Sequence, residues 1–235
     1  MTRRQVTTLD QLLRVSNDPS QPLLTYYDMS SGERVELSTT TTANWVAKTS
    51  NFLVDDLDAE PGTRIRIGLP SHWLTIVWIL SAWNVGACLV DSAADIGLSG
   101  PDLAADEPHR VAASLRPFGG RFVDPPQGFL DLGVEVPGHG DHFESFDPPE
   151  PTTAALDLDG THSSHADVLQ AATPDDRRLV ATAGTVPRDA MLLVNACLGG
   201  GSLVIVTSAT PEEIARVAAQ EGGNIHDPIH YTRRG

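Results

Sequence analysis

The chain has 235 residues, of which 40% are hydrophobic and 20% are charged, proportions typical of a globular protein with a substantial core. Aspartate and glutamate number 31 against 16 lysines and arginines, which gives a formal net charge of -15 at pH 7. Nucleic acids and anionic membrane surfaces would repel such a chain, and no cluster of basic residues offsets the repulsion. We therefore expect neither nucleic acid nor a membrane among its partners.

The two cysteines, Cys88 and Cys197, each lie among apolar neighbours. A free cysteine packs as a small hydrophobic residue, so both are expected to be buried thiols in a reducing compartment. The first residues lack the apolar stretch of a signal peptide. These features predict a cytoplasmic location.

The N-terminal part of the chain reads as a helix, a hairpin and a long helix followed by a strand. Ser30-Ser31-Gly32 supplies the hairpin turn, and Thr41–Leu57 carries apolar residues at helical spacing. The predicted elements are the helices Thr8–Val15 and Thr41–Leu57 and the strands Leu23–Tyr27, Arg34–Leu37 and Arg64–Leu69.

The stretch Trp73–Val90 contains no charged residue and is 18 residues long, which is the lower limit for a membrane-spanning helix. Gly86 stands where a helix C-cap is expected, and Ala87–Val90 then reads as a strand. About 12 helical residues remain, too few to cross a bilayer. We expect a core helix between two strands.

Three tryptophans in this helix, Trp73, Trp78 and Trp83, are spaced by five residues. At the helical period they cannot share one face, so we expect one or more to point out of the core. An exposed tryptophan would indicate a dimer interface or an apolar ligand groove.

The middle of the chain is less regular. Asp106–Leu115 is predicted to be a helix and Arg121–Val123 a short strand. Residues 124–151 carry six prolines, several glycines and many acidic residues, so we expect a long loop or linker in which no regular element persists. The chain is thereby divided into an α/β subdomain, a linker, a second α/β segment of the same domain and a tail, at residues 1–123, 124–151, 152–223 and 224–235.

The α/β alternation resumes after the linker. Thr210-Pro211 starts a helix with a favoured N-cap residue and proline at the first helical position. The predicted elements are the strands Thr153–Leu158, Arg178–Ala183 and Ser202–Thr207 and the helices Ser164–Ala172, Arg188–Leu198 and 211–220. The whole pattern predicts an α/β fold with a mixed, mainly parallel sheet flanked by helices.

Several segments also follow one another in an informative order: LTYYDMSSGERVEL at 24–37, a long helix at 39–57, PGTRIRIGLPSHWLTIVWILSAWNVGACLV at 61–90, GTHSSHADVL at 160–169 and the stretch 173–206. In this order they resemble the N-terminal part of the adenylate-forming (AMP-binding, acyl-CoA synthetase-like) enzymes. The resemblance implies the first half of that family's large domain.

The resemblance also implies what this chain lacks. In the family a Ser/Thr/Gly-rich loop ending in Pro-Lys-Gly holds the ATP phosphates, but here PPEPTTAALDLD passes directly into GTHSSHADVL. The motifs for adenine, Mg²⁺ and ribose and the C-terminal domain with its catalytic lysine are also missing from this sequence. We therefore expect a degenerate, non-catalytic relative with no ATP or Mg²⁺, which keeps an acyl or nucleotide-like ligand pocket or acts as a protein-interaction module.

Two enzymatic alternatives remain. The chain could be an active adenylate-forming enzyme that works with a partner chain and uses ATP and Mg²⁺. LDLDGT at 156–161 also matches the motif of Mg²⁺-dependent phosphatases, in which Asp157 would be the nucleophile and Asp159 the general acid, both holding the metal. Such enzymes also need a lysine downstream, and this chain has none after Lys48.

His162 and His165 form an H-x-x-H pattern, and four other histidines that could join a metal site lie elsewhere, at His139, His142, His226 and His230. A zinc site needs three or four ligands in fixed geometry, and no cysteine lies near these histidines in the sequence. We expect exposed polar histidines and no metal site.

Two glycine-containing turns differ in polarity. Gly199–Gly201 follows a helix and precedes a strand, so it predicts a helix cap and a tight turn. Gly184-Thr185 follows a strand and precedes a helix, the polarity of an anion or ligand site. Thr182, Gly184 and Thr185 are therefore the candidate pocket residues.

The resemblance also bears on assembly. In the full enzymes the second half of the large domain covers part of the sheet and its helices. Without that cover, sheet edges and apolar faces would meet water. We therefore expect a homodimer or a protein partner that covers this face.

Overall fold

The computed structural model describes residues 6–15 and 18–226, which form a mixed α/β fold with two sheets and helices packed between and around them. A 3₁₀ helix at Leu9–Val15 comes first. The strands are β1 Pro22–Asp28, β2 Glu33–Ser38, β3 Arg64–Gly68, β4 Cys88–Val90, β5 Ile96–Ser99, β6 His109–Ala112, β7 Leu130–Asp131, β8 Ala154–Leu158, β9 Thr161–Ser164, β10 Arg178–Thr182, β11 Ser202–Thr207 and β12 Asn224–Ile225. The α-helices are α1 Thr39–Asp55, α2 Trp73–Asn84, α3 Leu132–Glu135, α4 His165–Ala171, α5 Val186–Gly199 and α6 Pro211–Glu221.

The smaller sheet has five strands in the order β12-β10-β11-β1-β2. β1 pairs in parallel with β11, with Leu24 opposite Leu203, and in antiparallel fashion with β2. β10 pairs in parallel with both β11 and β12. The hairpin at the start of the chain is therefore completed by strands from near its end.

The larger sheet has seven strands in the order β7-β6-β5-β3-β4-β8-β9. All neighbours are parallel except β8 and β9, which form an antiparallel hairpin at one edge. Each sheet thus combines strands from 1–123 with strands from 152–226, so the two stretches fold into one another.

Helix α2 lies at the centre of the molecule. It packs against α1, α5, the N-terminal 3₁₀ helix and strands of both sheets. The expectation of an exposed tryptophan is wrong, because Trp73, Trp78 and Trp83 are all at most 1% exposed. A helix covered on every side has no outward face, and that is why its sequence is apolar all round.

The capping signals of the sequence are present in the structure. Gly86 has a positive φ of 76°, which ends the α2 segment before β4. Gly200 caps α5 in the left-handed conformation, as the prediction of a cap and turn requires. Thr210 and Glu213 form a reciprocal capping box at the start of α6.

The middle of the chain corrects three expectations. Asp106–Leu115 is not a helix, because His109–Ala112 forms β6 and pairs with β5. Arg121–Val123 is not a strand. Residues 124–151 contain regular structure, since β7 extends the larger sheet, and α3 and the 3₁₀ turn after it place the buried side chains of Leu132 and Val136 against the core.

Lys48 and Asn51 on α1 fasten this middle segment by hydrogen bonds to its backbone. The Lys48 Nζ donates to the carbonyl oxygens of Pro137 and His139, 3.4 Å away at Pro137. The Asn51 side chain donates to the carbonyl oxygen of Gly140 at 2.9 Å. The expected linker is thus a docked part of the fold.

The cysteines are as the sequence predicts. Cys88 and Cys197 are free and buried, and burial raises the pKa of the Cys197 thiol to about 12. Among the described residues no helix has both the length and the apolar character needed to cross a membrane.

Candidate functional site

A cavity of about 630 Å³ opens where β1, β10 and β11 of the smaller sheet end and where the chain leaves β3 of the larger sheet. We call it the carboxyl-edge cavity, and its volume lies in the range of small-molecule sites. The carboxyl ends of parallel strands are where α/β proteins bind ligands. Its lining residues are Tyr26, Asp28, Ser31, Gly32, Glu33, Pro70, Ser71, His72, Leu115, Pro117, Ala183, Thr207 and Ser208.

His72 is the most unusual residue of the cavity. It is the N-cap of α2 and only 2% exposed, and its Nδ1 accepts a hydrogen bond from the Leu74 backbone N–H at 3.2 Å. Its Nε2 is buried without a partner. Burial lowers the pKa of His72 to about 4, so the ring is neutral at pH 7, and with Nδ1 accepting, Nε2 carries the hydrogen.

Two carboxylates from the first hairpin face the same cavity. Asp28 and Glu33 lie opposite each other at the ends of β1 and β2. Burial raises the pKa of Asp28, but hydrogen bonds from Ser31 and Ser30 outweigh it and bring the pKa down to about 2. Burial, and then the charge of Asp28, raise the pKa of Glu33, whose Oε1 is buried without a partner.

The wall between the cavity and α5 is hydrogen-bonded. Ser71 Oγ donates to the Asp189 carboxylate at 2.6 Å and accepts from the Gly184 N–H at 2.8 Å. Asp189 is 2% exposed, and burial raises its pKa. This contact joins the start of α2 to the start of α5.

The candidate pocket residues Thr182, Gly184 and Thr185 lie at this wall, and among 182–185 only Ala183 lines the cavity itself. Arg188 Nη1 donates to the Thr182 carbonyl at 2.7 Å and lies 2.5 Å from the position that a Cβ on Gly184 would take. Thr185 is the N-cap of α5 without a side-chain cap bond. The Arg188 side chain therefore fills the space beside Gly184, and the open space lies on the side of Ala183.

The point at which the resemblance would place a phosphate loop is a two-residue turn. β8 and β9 are joined by Asp159 and Gly160, with φ values of 52° and 72°. Two left-handed residues in a row are the conformation of a tight type I′ hairpin. No loop of chain is available between these strands to surround a polyphosphate.

The acidic residues of this hairpin are paired. Asp157 Oδ2 lies 3.2 Å from the Arg64 guanidinium, and Asp157 Oδ1 lies 3.0 Å from His162 Nδ1. The Asp159 N–H donates to the Asp91 carboxylate at 3.0 Å. Over residues 6–15 and 18–226, no three His, Cys, Asp or Glu side chains come together as a metal site would require.

The histidines of the H-x-x-H pattern point to different surroundings. The His162 side chain is 79% exposed, whereas His165 is 0% exposed and accepts the Leu9 N–H at Nδ1, 3.0 Å away. The expectation that these histidines are all exposed is therefore wrong for His165, which caps the N-terminal 3₁₀ helix. His139 is also partly covered and lies 3.0 Å from Asp56. His230 lies outside the described residues.

A second cavity of about 550 Å³ lies at the amino ends of β1, β10 and β11. Three of its charged groups satisfy one another, since Arg178 contacts both Glu221 and Glu36 and also donates to Thr25 Oγ1 at 2.8 Å. Burial raises the pKa of Glu221, but hydrogen bonds from Tyr27 and Arg178 outweigh this effect, so the pKa is lower than its usual value. Because these groups are paired, this cavity is a weaker candidate than the carboxyl-edge cavity.

Comparison with solved structures identifies the fold. The chain has the fold of the N-terminal part of acyl-CoA synthetases. An acyl-CoA synthetase from Brucella canis has a TM-score of 0.75 and 14% identity, with 93% of this chain and 46% of that chain covered. An acetoacetyl-CoA synthetase from Streptomyces lividans has a TM-score of 0.72 and 18% identity, with 92% and 41% covered. The N-terminal domain of FACL13 from Mycobacterium tuberculosis has a TM-score of 0.68.

The chain spans about half the length of the solved synthetases that it matches. It belongs to the TIGR03089 family, because a member of that family from Mycobacterium tuberculosis is 36% identical over 232 residues, with 91% of this chain and 93% of that protein covered. No protein-family model matches the chain.

Sequence reasoning did not identify His72, Asp28 or Glu33. A signal for each was present: Ser71 and His72 stand between a predicted strand and an uncharged helix, and Asp28 and Glu33 flank a hairpin turn. Each position is the end or start of a strand or helix, but the packing of α2 against β1 is what brings His72 to the hairpin that holds Asp28 and Glu33.

Proposed function

We propose that this protein is a non-catalytic relative of the acyl-CoA synthetases that binds a small ligand in the carboxyl-edge cavity. One observation carries the proposal: the two-residue turn at Asp159 and Gly160 stands where the resemblance requires a phosphate-binding loop. Activation of a carboxylate by ATP needs backbone N–H groups and cations around the phosphates. At the tight hairpin the Asp159 N–H is engaged by Asp91, and the nearby Arg64 guanidinium is engaged by Asp157.

The charges near this turn support the same proposal. Asp91, Asp157 and Asp159 are acidic, and the Arg64 guanidinium is engaged by Asp157. A polyphosphate at this position would meet like charges with no free cation among these four residues. The residues present therefore do not fit ATP at the β8–β9 turn.

The phosphatase alternative receives no support from the same contacts. A nucleophilic aspartate must offer a free oxygen, and both oxygens of Asp157 are in contact with basic side chains. Asp159 lies in the turn, where its N–H donates to Asp91, and the described residues include no group of three side chains that could hold a metal ion. We therefore favour ligand binding over hydrolysis.

Isothermal titration with ATP and Mg²⁺, together with pyrophosphate exchange, tests the proposal. We expect no heat of binding up to millimolar ATP and no exchange above a no-protein blank. Binding at micromolar ATP, or exchange that depends on the protein, would refute the non-catalytic assignment. Hydrolysis of a generic phosphate ester in Mg²⁺ that disappears in Asp157→Asn would instead support the phosphatase.

We further propose that the protein works as a homodimer or with a protein partner. The apolar side chains of Phe118, Val123 and Val134 are 77%, 79% and 52% exposed in one stretch of the chain. Exposed apolar groups of this kind favour association. Light scattering should give a mass of about twice 25.1 kDa, and a monodisperse monomer would contradict a homodimer.

A further inference from the structure

We propose that the carboxyl-edge cavity takes a small amine that also carries hydroxyl groups, such as an amino sugar, and rejects carboxylates and phosphates. This inference deepens the proposed function and rests on it, because it names the chemical class of the ligand for the same cavity. It follows from the polar groups that the cavity leaves without partners and from the sign of its charges.

The first step concerns charge. Among the lining residues, all of them in the described part of the chain, there is no lysine or arginine, whereas Asp28 and Glu33 are both acidic. Arg116, whose two chain neighbours line the cavity, is not itself a lining residue. An anion placed here would lie close to two carboxylates in partly desolvated surroundings, where like charges repel strongly.

The second step concerns the acceptor that the ligand must satisfy. Asp28 is already supplied with hydrogen bonds from the Ser30 N–H at 3.0 Å, the Ser30 hydroxyl at 2.8 Å and the Ser31 hydroxyl at 2.7 Å. Glu33 Oε1 is buried and has no such donor. A buried carboxylate oxygen without a donor is costly, so an ammonium or hydroxyl group brought by a ligand would be stabilised there.

The third step concerns the donor that the ligand must meet. His72 presents Nε2–H on the side of the ring away from the α2 backbone, because Nδ1 is occupied by the Leu74 N–H. That donor is buried, has no partner and belongs to a residue that lines the cavity. A ligand hydroxyl or carbonyl oxygen would satisfy it. A single ligand that carries both a hydrogen-bond donor for Glu33 and an acceptor for His72 would therefore satisfy both residues.

The fourth step concerns proximity and size. Asp28, Glu33 and His72 line one cavity, Asp28 lies opposite Glu33 across the hairpin, and the His72 ring centre lies 4.5 Å from that of Tyr26 on the same strand as Asp28. The volume of about 630 Å³ admits a molecule of hexose size, with Pro70, Leu115 and Pro117 as apolar walls. An amino sugar carries the ammonium, the hydroxyls and the ring that this lining can contact.

Three sugars that share one ring and differ in charge test the inference: glucosamine is positive, glucose is neutral and glucuronate is negative. The readout is the ¹H–¹⁵N NMR signal of the His72 imidazole, assigned by its loss in His72→Asn. We expect glucosamine to shift it at the lowest concentration, glucose to need about tenfold more, and glucuronate to leave it unchanged. A shift by glucuronate at the glucosamine concentration, or no shift with any of the three, would overturn the inference.

A matched pair of variants tests the role of the carboxylate. Glu33→Gln should weaken glucosamine binding about tenfold and leave glucose nearly unchanged, because only the charge has been removed. Glu36→Gln makes the same change on the same strand but lines the other cavity, so it should bind glucosamine like the unaltered chain. Equal effects of the two variants would contradict a site at Glu33.

These outcomes are separable from the test of the proposed function. Pyrophosphate exchange with ATP would refute the non-catalytic assignment while the His72 signal still reports the ligand class of the cavity. Conversely, absence of exchange with a glucuronate-responsive His72 would keep the proposed function and remove the inference.

Discussion

The carboxyl-edge cavity and the β8–β9 hairpin each bring acidic side chains next to a histidine, but they satisfy those groups differently. In the hairpin, Asp157 contacts Arg64 and His162. In the cavity, Glu33 Oε1 and His72 Nε2 are buried without partners. The paired groups of the hairpin stabilise the fold, and no ligand is needed to explain them. The unpaired buried groups of the cavity destabilise the fold, and a bound ligand would explain why they are present.

The same two regions show that a recognisable sequence motif and a ligand site need not coincide. The hairpin carries the more recognisable sequence, a D-x-D-G-T pattern with a nearby H-x-x-H, yet the paired side chains leave little for a substrate or metal to contact. The cavity has no motif. Its residues come from five separate parts of the chain, at 26–33, 70–72, 115–117, 183 and 207–208, which only the folded structure brings together.

The largest expected effect is on the free energy of unfolding at acidic pH. Because burial lowers the pKa of His72 from 6.5 to about 4, its contribution to the free energy of unfolding is complete above pH 6.5 and is lost as the pH falls towards 4. The His72→Asn substitution keeps a side chain that can cap the helix. In this variant the free energy of unfolding should fall by about 3 kcal/mol less between pH 7 and pH 4 than it does in the unaltered chain. Denaturant unfolding between pH 7 and 4 measures it.

His162→Asn is the control, because its side chain is 79% exposed. The same pH dependence in His72→Asn as in the unaltered chain would mean that His72 is not buried as a neutral ring. His165, whose pKa burial also lowers to about 4, should keep its own share of the loss in both variants.

A smaller effect should distinguish the wall of the cavity from the hairpin. Ser71→Ala removes the hydrogen bond to Asp189 and leaves a buried carboxylate and the Gly184 N–H without their partner, so it should cost about 1–3 kcal/mol. Asp157→Ala removes a partly exposed ion pair and should cost at most about 1 kcal/mol. Urea unfolding of both variants at pH 7 gives the difference, and equal costs would remove the contrast.

The smallest effect concerns the turn. Gly160 has a φ of 72°, which alanine adopts only with strain, and a Cβ there would meet no other atom within 4 Å. Gly160→Ala should therefore lower the free energy of unfolding by about 1 kcal/mol through backbone conformation alone. Gly138→Ala, with equally open space and no positive φ, is the matched control. A stabilised Gly160→Ala would indicate a turn other than the observed one.

Local elements could be predicted because their signals are local. The hairpin of β1 and β2 follows from Ser30-Ser31-Gly32 between two β-rich segments, and the start of α6 follows from Thr210 and Glu213. The strand β6 could not be read in this way. Its four residues begin with two exposed positions, and they are strand because β5 and β7 lie on either side.

The site was harder to predict for the same reason. Ser71 and Gly184 are far apart in sequence, and nothing near either residue indicates that they share a hydrogen bond. The Trp73, Trp78 and Trp83 spacing suggested an exposed face because periodicity describes one helix alone. The neighbours of α2, namely α1, α5, the N-terminal 3₁₀ helix and strands of both sheets, explain why no face is exposed.

The parallel pairing of β1 with β11 has a consequence for biosynthesis. β1 is synthesised well before β11, the strand that lies beside it in the finished sheet, because most of the other elements separate the two in the chain. Until then the hairpin has one unpaired edge, a template on which another nascent chain could add a strand. Pairing between strands so distant in sequence forms slowly, so this edge of the first hairpin stays open until β11 has been made and has docked.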